Sequence, residues 1–293
     1  MAYIDFRRHG IQLALLILLA GCLRIPTGHQ TLGSPAAGNA AFTPAGRCSP
    51  GLLASLAPQP PLPLNALGAG GFTLVCWNIV KGSRPGCYAD LAQLVTGGDI
   101  VLLQEAKASR PLMQLMDDLG AWDLAPAFYH GHRPVGVLTA ARIAPGTRCM
   151  ARTPEPLLRL PKSMLITSYT LTRGSPPLVV ANLHGVNFAW GTVNYRKFWQ
   201  AVESFLAPHG GPMIVAGDFN TWSKARLAVV SEAMAHLGLA AVPFKEGARS
   251  IFWGHAVDHV YYRGLMPVKA RVAPVGSSDH RPLVVTFQEP AAP

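Results

Sequence analysis

Met213-Ile-Val-Ala-Gly-Asp-Phe-Asn220 is an apolar run closed by an acid and, two residues on, by an amide. A run without polar alternation predicts a strand buried on both faces. The same texture recurs. Residues 72–77 are apolar or small up to Asn78, 100–103 lead to Gln104 and Glu105, and 178–183 lead to His184. Residues 135–139, 165–171, 257–262 and 283–287 also read as strands. Between them, Tyr195, Phe198, Trp199, Val202, Phe205 and Leu206 fall on one helical face, and Leu227, Val230, Met234 and Leu237 on another. Strands alternating with helices predict a layered α/β domain over 72–288, followed by a short tail, 289–293.

The chain has 293 residues, 49% of them hydrophobic and 14% charged. That apolar content excludes a wholly disordered chain, and the length suits one α/β domain with a well-buried core. Lys and Arg number 25 against 15 Asp and Glu, for a net charge of +10. A basic surface attracts polyanions, whether nucleic acid or anionic lipid head groups, and charge does not choose between them.

At the start, Arg7 and Arg8 precede an uncharged stretch, Gly10 to Leu23. This is shorter than the ~18 apolar residues of a membrane-spanning helix, and its order reads as an export signal. Leu19-Ala-Gly-Cys22 resembles the bacterial lipobox, in which the signal is cut before the cysteine and that cysteine is lipidated. The resemblance implies a signal peptide over 1–21 and a lipid anchor at Cys22. The protein would then be exported and held on the periplasmic or cell-surface side of a bacterial membrane. An unlipidated leader or an uncleaved anchor are the competing readings. Residues 22–71 are rich in Pro, Gly and Ala and read as a tether. Besides Cys22 there are Cys48, Cys76, Cys87 and Cys149. They allow two disulfides in three connectivities, or four buried thiols. No Cys/His spacing suits structural zinc.

The acids are few, and four stand at strand ends: Glu105, Asp218, Asp258 and Asp279. Asn78, Asn220, His184 and His280 stand there too. Singly, an Asp or Asn at such a position caps a turn or helix. Together they form a set that strand ends of a layered α/β fold bring to one edge. Carboxylates gathered there repel, so they need a cation or a shared proton. Carboxylate and amide oxygens favour a hard cation: Mg2+, or alternatively Mn2+ or Ca2+. A His beside an Asp adds a proton-handling pair. No GxSxG and no P-loop pattern is present, which disfavours serine-esterase and NTPase chemistry.

Six short motifs occur in order: Cys76-Trp-Asn-Ile79, Leu103-Gln-Glu-Ala106, Asn182-Leu-His184, Gly217-Asp-Phe-Asn220, Val257-Asp-His-Val260 and Ser278-Asp-His-Arg-Pro282. In this order the sequence resembles the endonuclease/exonuclease/phosphatase superfamily of DNase I-like metal-dependent phosphoesterases. Residues 158–163, 184–188 and 262–265 further resemble an uncharacterised bacterial branch of it. The resemblance implies a four-layer sandwich of two mixed β-sheets flanked by helices. It implies Glu105, Asn78 and Asp279 as metal ligands. Asp218 would orient or deprotonate the attacking water, Asn220 would hold a phosphate oxygen, His280 would pair with Asp258, and His184 would line the phosphate pocket. His259, next to Asp258, is given no role; strand alternation turns it to the other side.

For the substrate, residues 141–162 carry Arg142, Arg148, Arg152, Arg159 and Lys162 against one acid, Glu155. Spaced cations suit a nucleic-acid backbone, with Lys162, just before a strand, the single best candidate. The resulting expectation is a monomeric Mg2+-dependent phosphodiesterase, a nuclease first. A phospholipid or small-molecule phosphoesterase is the alternative. A non-catalytic binding lipoprotein ranks last, because every matched position is filled.

Overall fold

The computed structural model describes residues 23–34, 41–54, 56, 66–67, 70–156, 160–171, 176–188 and 191–290. The expected signal peptide over 1–21, Cys22 and Arg159 lie outside the described residues. In chain order the strands are β1 (Leu23–Arg24), β2 (Gln30–Gly33), β3 (Ala41–Pro44), β4 (Phe72–Asn78), β5 (Ile100–Lys107) and β6 (Ala121–His130). Then come β7 (Arg133–Ala141), β8 (Thr147–Pro154), β9 (Pro161–Tyr169), β10 (Leu178–His184), β11 (Met213–Asp218) and β12 (Ala240–Ala241). The last are β13 (Ile251–Phe252), β14 (His255–Ala256), β15 (Asp258–Arg263), β16 (Met266–Val272) and β17 (Leu283–Gln288).

Two mixed sheets result. One runs β16-β17-β4-β5-β7-β6-β2-β3, with β1 also paired to β6; the other runs β12-β15-β11-β10-β9-β8. Strand alternation sends the two faces of each apolar run into different layers. Leu74, Cys76, Ile100 and Leu102 meet Val180, Ile214, Ala216 and Val260 between the sheets. Val75, Trp77, Val101 and Leu103 face outward onto Leu91, Leu94, Leu112 and Met116 of the helices Cys87–Thr96 and Arg110–Leu119. On the opposite side Met213, Val215, Val179 and Leu183 pack on Phe198, Trp199, Val202 and Val230, from the helices Val193–Leu206 and Lys224–His236. The order helix, sheet, sheet, helix is the four-layer sandwich expected.

Buried amides bridge the two sheets. Gln104 Nε2 donates to Asn182 Oδ1 at 2.7 Å, and Asn182 Nδ2 donates to Leu138 O at 2.8 Å. At Gly217 the backbone takes φ +146°, and a Cβ there would lie 1.9 Å from Leu183 O. Only glycine lets β10 and β11 close up immediately before Asp218.

The stretch 22–71, read from composition as a tether, needs correction where it is described. β2 pairs with β6, β1 pairs with β6, and the short helix Pro50–Ala54 buries Leu53 in the outer core. A disulfide joins Cys48 to Cys149, 101 residues away, while Cys76 and Cys87 are buried thiols. Composition misread the segment because its order comes from long-range partners. Closing so long a loop restricts the unfolded chain by about 3–5 kcal/mol. Reduction, or the double variant Cys48→Ser/Cys149→Ser, is therefore expected to lower Tm by roughly 6–20 °C. Thermal unfolding followed by circular dichroism checks this; an unchanged Tm would show that the bridge adds nothing.

Candidate active site

The register of the sheets assembles the site. His184 at the end of β10 is paired with Asp218 at the end of parallel β11, and Asp218 is paired with Asp258 at the start of antiparallel β15. Three polar residues thus stand in one row across one sheet edge. In the other sheet Asn78 ends β4, beside Gln104 of β5. The β5–β7 register slips between Leu103 and Ala106, and Glu105 takes φ +50°. Such a bulge re-aims a side chain, here that of half-buried Glu105. Asn220 also has positive φ, +55°. Unusual backbone at two site residues is held by the surrounding packing.

Asp218 is the hub. Its Oδ2 accepts from Asn78 Nδ2 at 3.1 Å and lies 3.3 Å from His184 Nε2 and 3.9 Å from His280 Nε2. Its Oδ1 accepts from the Asn220 backbone N–H at 3.0 Å. Burial raises its carboxyl to about 6, against the opposing pull of cationic His280. His280 Nδ1 lies 2.8 and 3.0 Å from the two Asp258 oxygens. Burial alone would lower the imidazole, but the carboxylates of Asp258, Asp218 and Asp279 outweigh it and raise it to about 10, so His280 is charged near neutrality. Ser278 fixes this loop: its hydroxyl donates to Asn78 O at 2.7 Å, and Trp77 Nε1 donates to His280 O at 2.8 Å.

Lys162 enters from β9. Its Nζ lies 2.8 Å from His184 Nε2 and 3.9 Å from Glu155. Burial lowers the ammonium from its ordinary range, with Glu105, Asp218 and Glu155 opposing. Burial and Lys162 push His184 well below the ordinary imidazole value, so it is neutral and its Nε2 accepts from Lys162.

Glu105, Lys162, His184, Asp218, Asn220, Asp279 and His280 line one cavity. The strand ends do bring these groups together. Two of the anticipated residues stand behind that wall. Asp258 backs His280. Asn78 is buried, with Nδ2 on Asp218 and Oδ1 accepting from Val80 N at 3.1 Å. Asn78 is thus turned towards positioning Asp218, a change from the ligand role implied by resemblance. Asn220 gives one amide hydrogen to Gly185 O at 2.9 Å, and it lines the cavity. His259 does face away, 2.6 Å from the Thr221 hydroxyl.

The oxygen donors suit a hard divalent cation. Glu105 and Asp279 face the same cavity, and each has a cation drawn to it: Lys81 on Glu105, and Arg84 3.6 Å from Asp279. Asp218, Asp258 and His280 also approach closely enough to hold an ion. A charged imidazole with Nδ1 hydrogen-bonded to Asp258 is a donor, however, and its Nε2 faces Asp218 across 3.9 Å as an ion pair. Lys81, Arg84 and Glu155 were not assigned to the site from sequence, and Ser278 stood in a motif without a role. Glu155 accepts from the backbone N–H groups of Asn187 and Phe188 at 2.7 and 2.8 Å, pinning the loop beside His184. Lys81, Arg84 and Glu155 stood in no motif; the acid alone among basic residues was the only signal for Glu155.

The basic segment behaves differently from expectation. Arg142 binds Asp99 at 3.1 Å, Arg148 binds Asp123 at 2.9 Å, and Arg152 donates to the carbonyls of Pro126 and Gly28. Among its described residues only Lys162 lines the cavity, because β8 pairs along β9 and its arginines satisfy neighbouring loops and acids.

Comparison with known proteins agrees with this architecture. The model of the "Endonuclease/Exonuclease/phosphatase family" matches residues 69–280. A UPF0294 protein of Vibrio vulnificus is 40% identical over 224 residues, 75% of this chain and 78% of its own length. Among solved structures, the endonuclease/exonuclease/phosphatase of Beutenbergia cavernae superposes with TM-score 0.58 at 18% identity, covering 74% of this chain and 71% of that one. The catalytic domain of human Nocturnin with bound sulfate gives 0.59 at 18% identity, covering 75% and 95%. With the sandwich, the row of polar strand ends and a family match spanning nearly all of the domain, the chain belongs to the endonuclease/exonuclease/phosphatase family.

Proposed function

We propose that this protein is a Mg2+-dependent hydrolase of phosphodiester bonds. The observation that carries the reading is the convergence of Glu105 and Asp279 on the cavity that also holds Asp218 and His280. Glu105 and Asp279 are the residues that would hold the ion. When bound, it supplies charge neutralisation of a non-bridging phosphate oxygen and of the departing oxygen.

The chain's own groups account for the rest. Asp218, raised to about 6 by burial, is ionised near neutrality and basic enough to take a proton from an attacking water. Its two oxygens are oriented by Asn78 and by the Asn220 backbone. His280 presents Nε2–H to the cavity while Asp258 fixes its Nδ1, so it donates where negative charge grows on phosphorus oxygens. Lys162 and the second amide hydrogen of Asn220 offer further contacts to the phosphate. Water adds at phosphorus, one P–O ester bond breaks, and a phosphomonoester and an alcohol leave; no covalent enzyme intermediate is needed.

A nuclease was the first expectation. Its support was the run of cations over 141–162, and the inward engagement of Arg142, Arg148 and Arg152 leaves Lys162 as the cation that favours it. A binding protein without catalysis is disfavoured, because ligand, base and donor positions are all filled. We further place the domain outside the cytoplasm, a location supported by the Cys48–Cys149 disulfide, with the anchor at Cys22.

A panel of plasmid DNA, RNA, bis(p-nitrophenyl) phosphate and p-nitrophenyl phosphate separates these substrates. Chelation with EDTA is expected to abolish hydrolysis and Mg2+ to restore it; turnover unaffected by chelator overturns the metal assignment. Glu105→Ala is expected to cut kcat/KM at least about 100-fold, and activity that survives it would move the site elsewhere. His280→Ala should lower kcat by about 10²–10⁴-fold with an unchanged far-ultraviolet dichroism spectrum.

A further inference from the structure

The catalytic cavity opens into a second compartment. Leu23, Ala127, Phe128, Val135, Leu160 and Phe188 line an apolar space of about 430 Å3, which shares Glu105, Lys162, His184 and Phe188 with the catalytic cavity. On the other side of the mouth stands the hairpin of β13 and β14. Its tip exposes three apolar side chains in succession: Ile251 is 51% accessible, Phe252 36% and Trp253 80%. Trp253 sits at the turn with φ +47° and leans edge-on against Trp222, while Phe252 lies against the His280 ring. Phe188, 48% accessible, lines both compartments. A cluster of exposed aromatic and aliphatic groups beside a cleft marks an interaction surface.

The chain itself indicates what lies against it. Leu23 and Arg24 pair with His130 and Tyr129, so the described chain starts on the wall of the apolar compartment. Covalently next in the N-terminal direction are Cys22 and the uncharged stretch from Gly10. Ile25, 50% accessible, adds to the apolar surface there. On the lipoprotein reading, in which the signal is cut before Cys22, the lipid on Cys22 joins the domain at the mouth of the cleft, and a distant hairpin presents Ile251 to Trp253 at the same mouth. Tryptophan and aliphatic side chains of this kind partition into the boundary between head groups and acyl chains. Single-stranded nucleic acid would instead call for stacking rings with cations along the path. Ile251, Leu23, Val135 and Leu160 have no ring to offer, and Arg142, Arg148 and Arg152 are engaged elsewhere.

We propose that the cleft works against a bilayer and takes a glycerophospholipid. The phosphodiester lies among Glu105, Asp218, His280 and Lys162, the apolar portion enters the compartment walled by Leu23 and Val135, and the tip Ile251–Trp253 dips into the bilayer. The proposal rests on the phosphodiesterase reading for its chemistry: water enters at phosphorus, the phosphate ester bond to glycerol breaks, diacylglycerol departs with a proton, and the head-group phosphomonoester is released.

The test uses the full chain with vesicles of phosphatidylethanolamine and phosphatidylglycerol whose acyl chains are brominated. Residues 1–76 contain no tryptophan, so quenching reports on the domain and not on the N-terminal stretch. Bromine is expected to quench the native chain, and Trp253→Phe to remove most of that quenching. Ile251 is outside both cavity walls; Ile251→Asp is expected to slow release of phosphate-containing product from the vesicles at least tenfold, while hydrolysis of bis(p-nitrophenyl) phosphate changes less than twofold. Absence of quenching, quenching without lipid hydrolysis, or equal losses on both substrates would overturn the proposal. So would single-stranded DNA being cleaved faster than lipid and slowed by Ile251→Asp, which assigns the tip to nucleic acid. If the soluble ester is not hydrolysed, the phosphodiesterase reading fails, and quenching still judges the membrane surface by itself.

Discussion

Asn78 ends a strand of one sheet and donates a hydrogen bond to Asp218, which ends a strand of the other. The halves of the site keep their alignment through this contact. Beneath it, the Gln104–Asn182 amide pair ties the same strands deeper between the sheets. Both bridges are buried, where an unpaired amide or carboxylate is costly. Sliding one sheet past the other would break both bridges, so they fix the stacking that non-directional apolar contacts leave loose. Asn78 thus does two things at once: it orients Asp218 and locks the layer.

The charge balance follows from that stacking. Glu105, Asp218, Asp258 and Asp279 arrive at one sheet edge, and each faces a cation or charged imidazole: Lys81, His280 and Arg84 among them. Lys162 stands between Glu155 and His184 and completes the set. Charges so arranged are compensated within the protein itself, although carboxylates and cations crowd one place. The exposed pairs, Lys81–Glu105 and Arg84–Asp279, are the ones able to part; the buried Asp258–His280 pair is shielded from water and stays.

Much of this was legible in the sequence. Central strands buried on both faces read as continuous apolar runs, and the change to Asn78, Glu105, His184 and Asp218 marks where they leave the core. Edge strands were not legible. β8 and β16 mix charged, proline and apolar residues because one side meets solvent or loops; β6 lies inside its sheet, but Asp123 and Pro126 break its apolar run. The helices Cys87–Thr96 and Arg110–Leu119 also passed unnoticed, although Ser109 caps the second, accepting from Leu112 N. In the site, residues in motifs were found and their partners were not. Lys81 and Glu155 act through contacts made by chain reversal, and no local pattern encodes those. The basic run over 141–162 shows the opposite error: composition revealed the charges, but not that Asp99, Asp123 and carbonyl oxygens absorb them.

The bridge between Cys48 and Cys149 leaves Cys76 and Cys87 between its partners in the chain, both sealed in the core. In an oxidising compartment the thiols emerge one after another, and joining each to its nearest predecessor gives the wrong loops. Cys76 must be folded away between the sheets before it meets an oxidant, or a wrong link must later be undone by thiol exchange. Forming the Cys48–Cys149 bridge therefore calls for either burial of Cys76 and Cys87 ahead of oxidation or reshuffling of a wrong link.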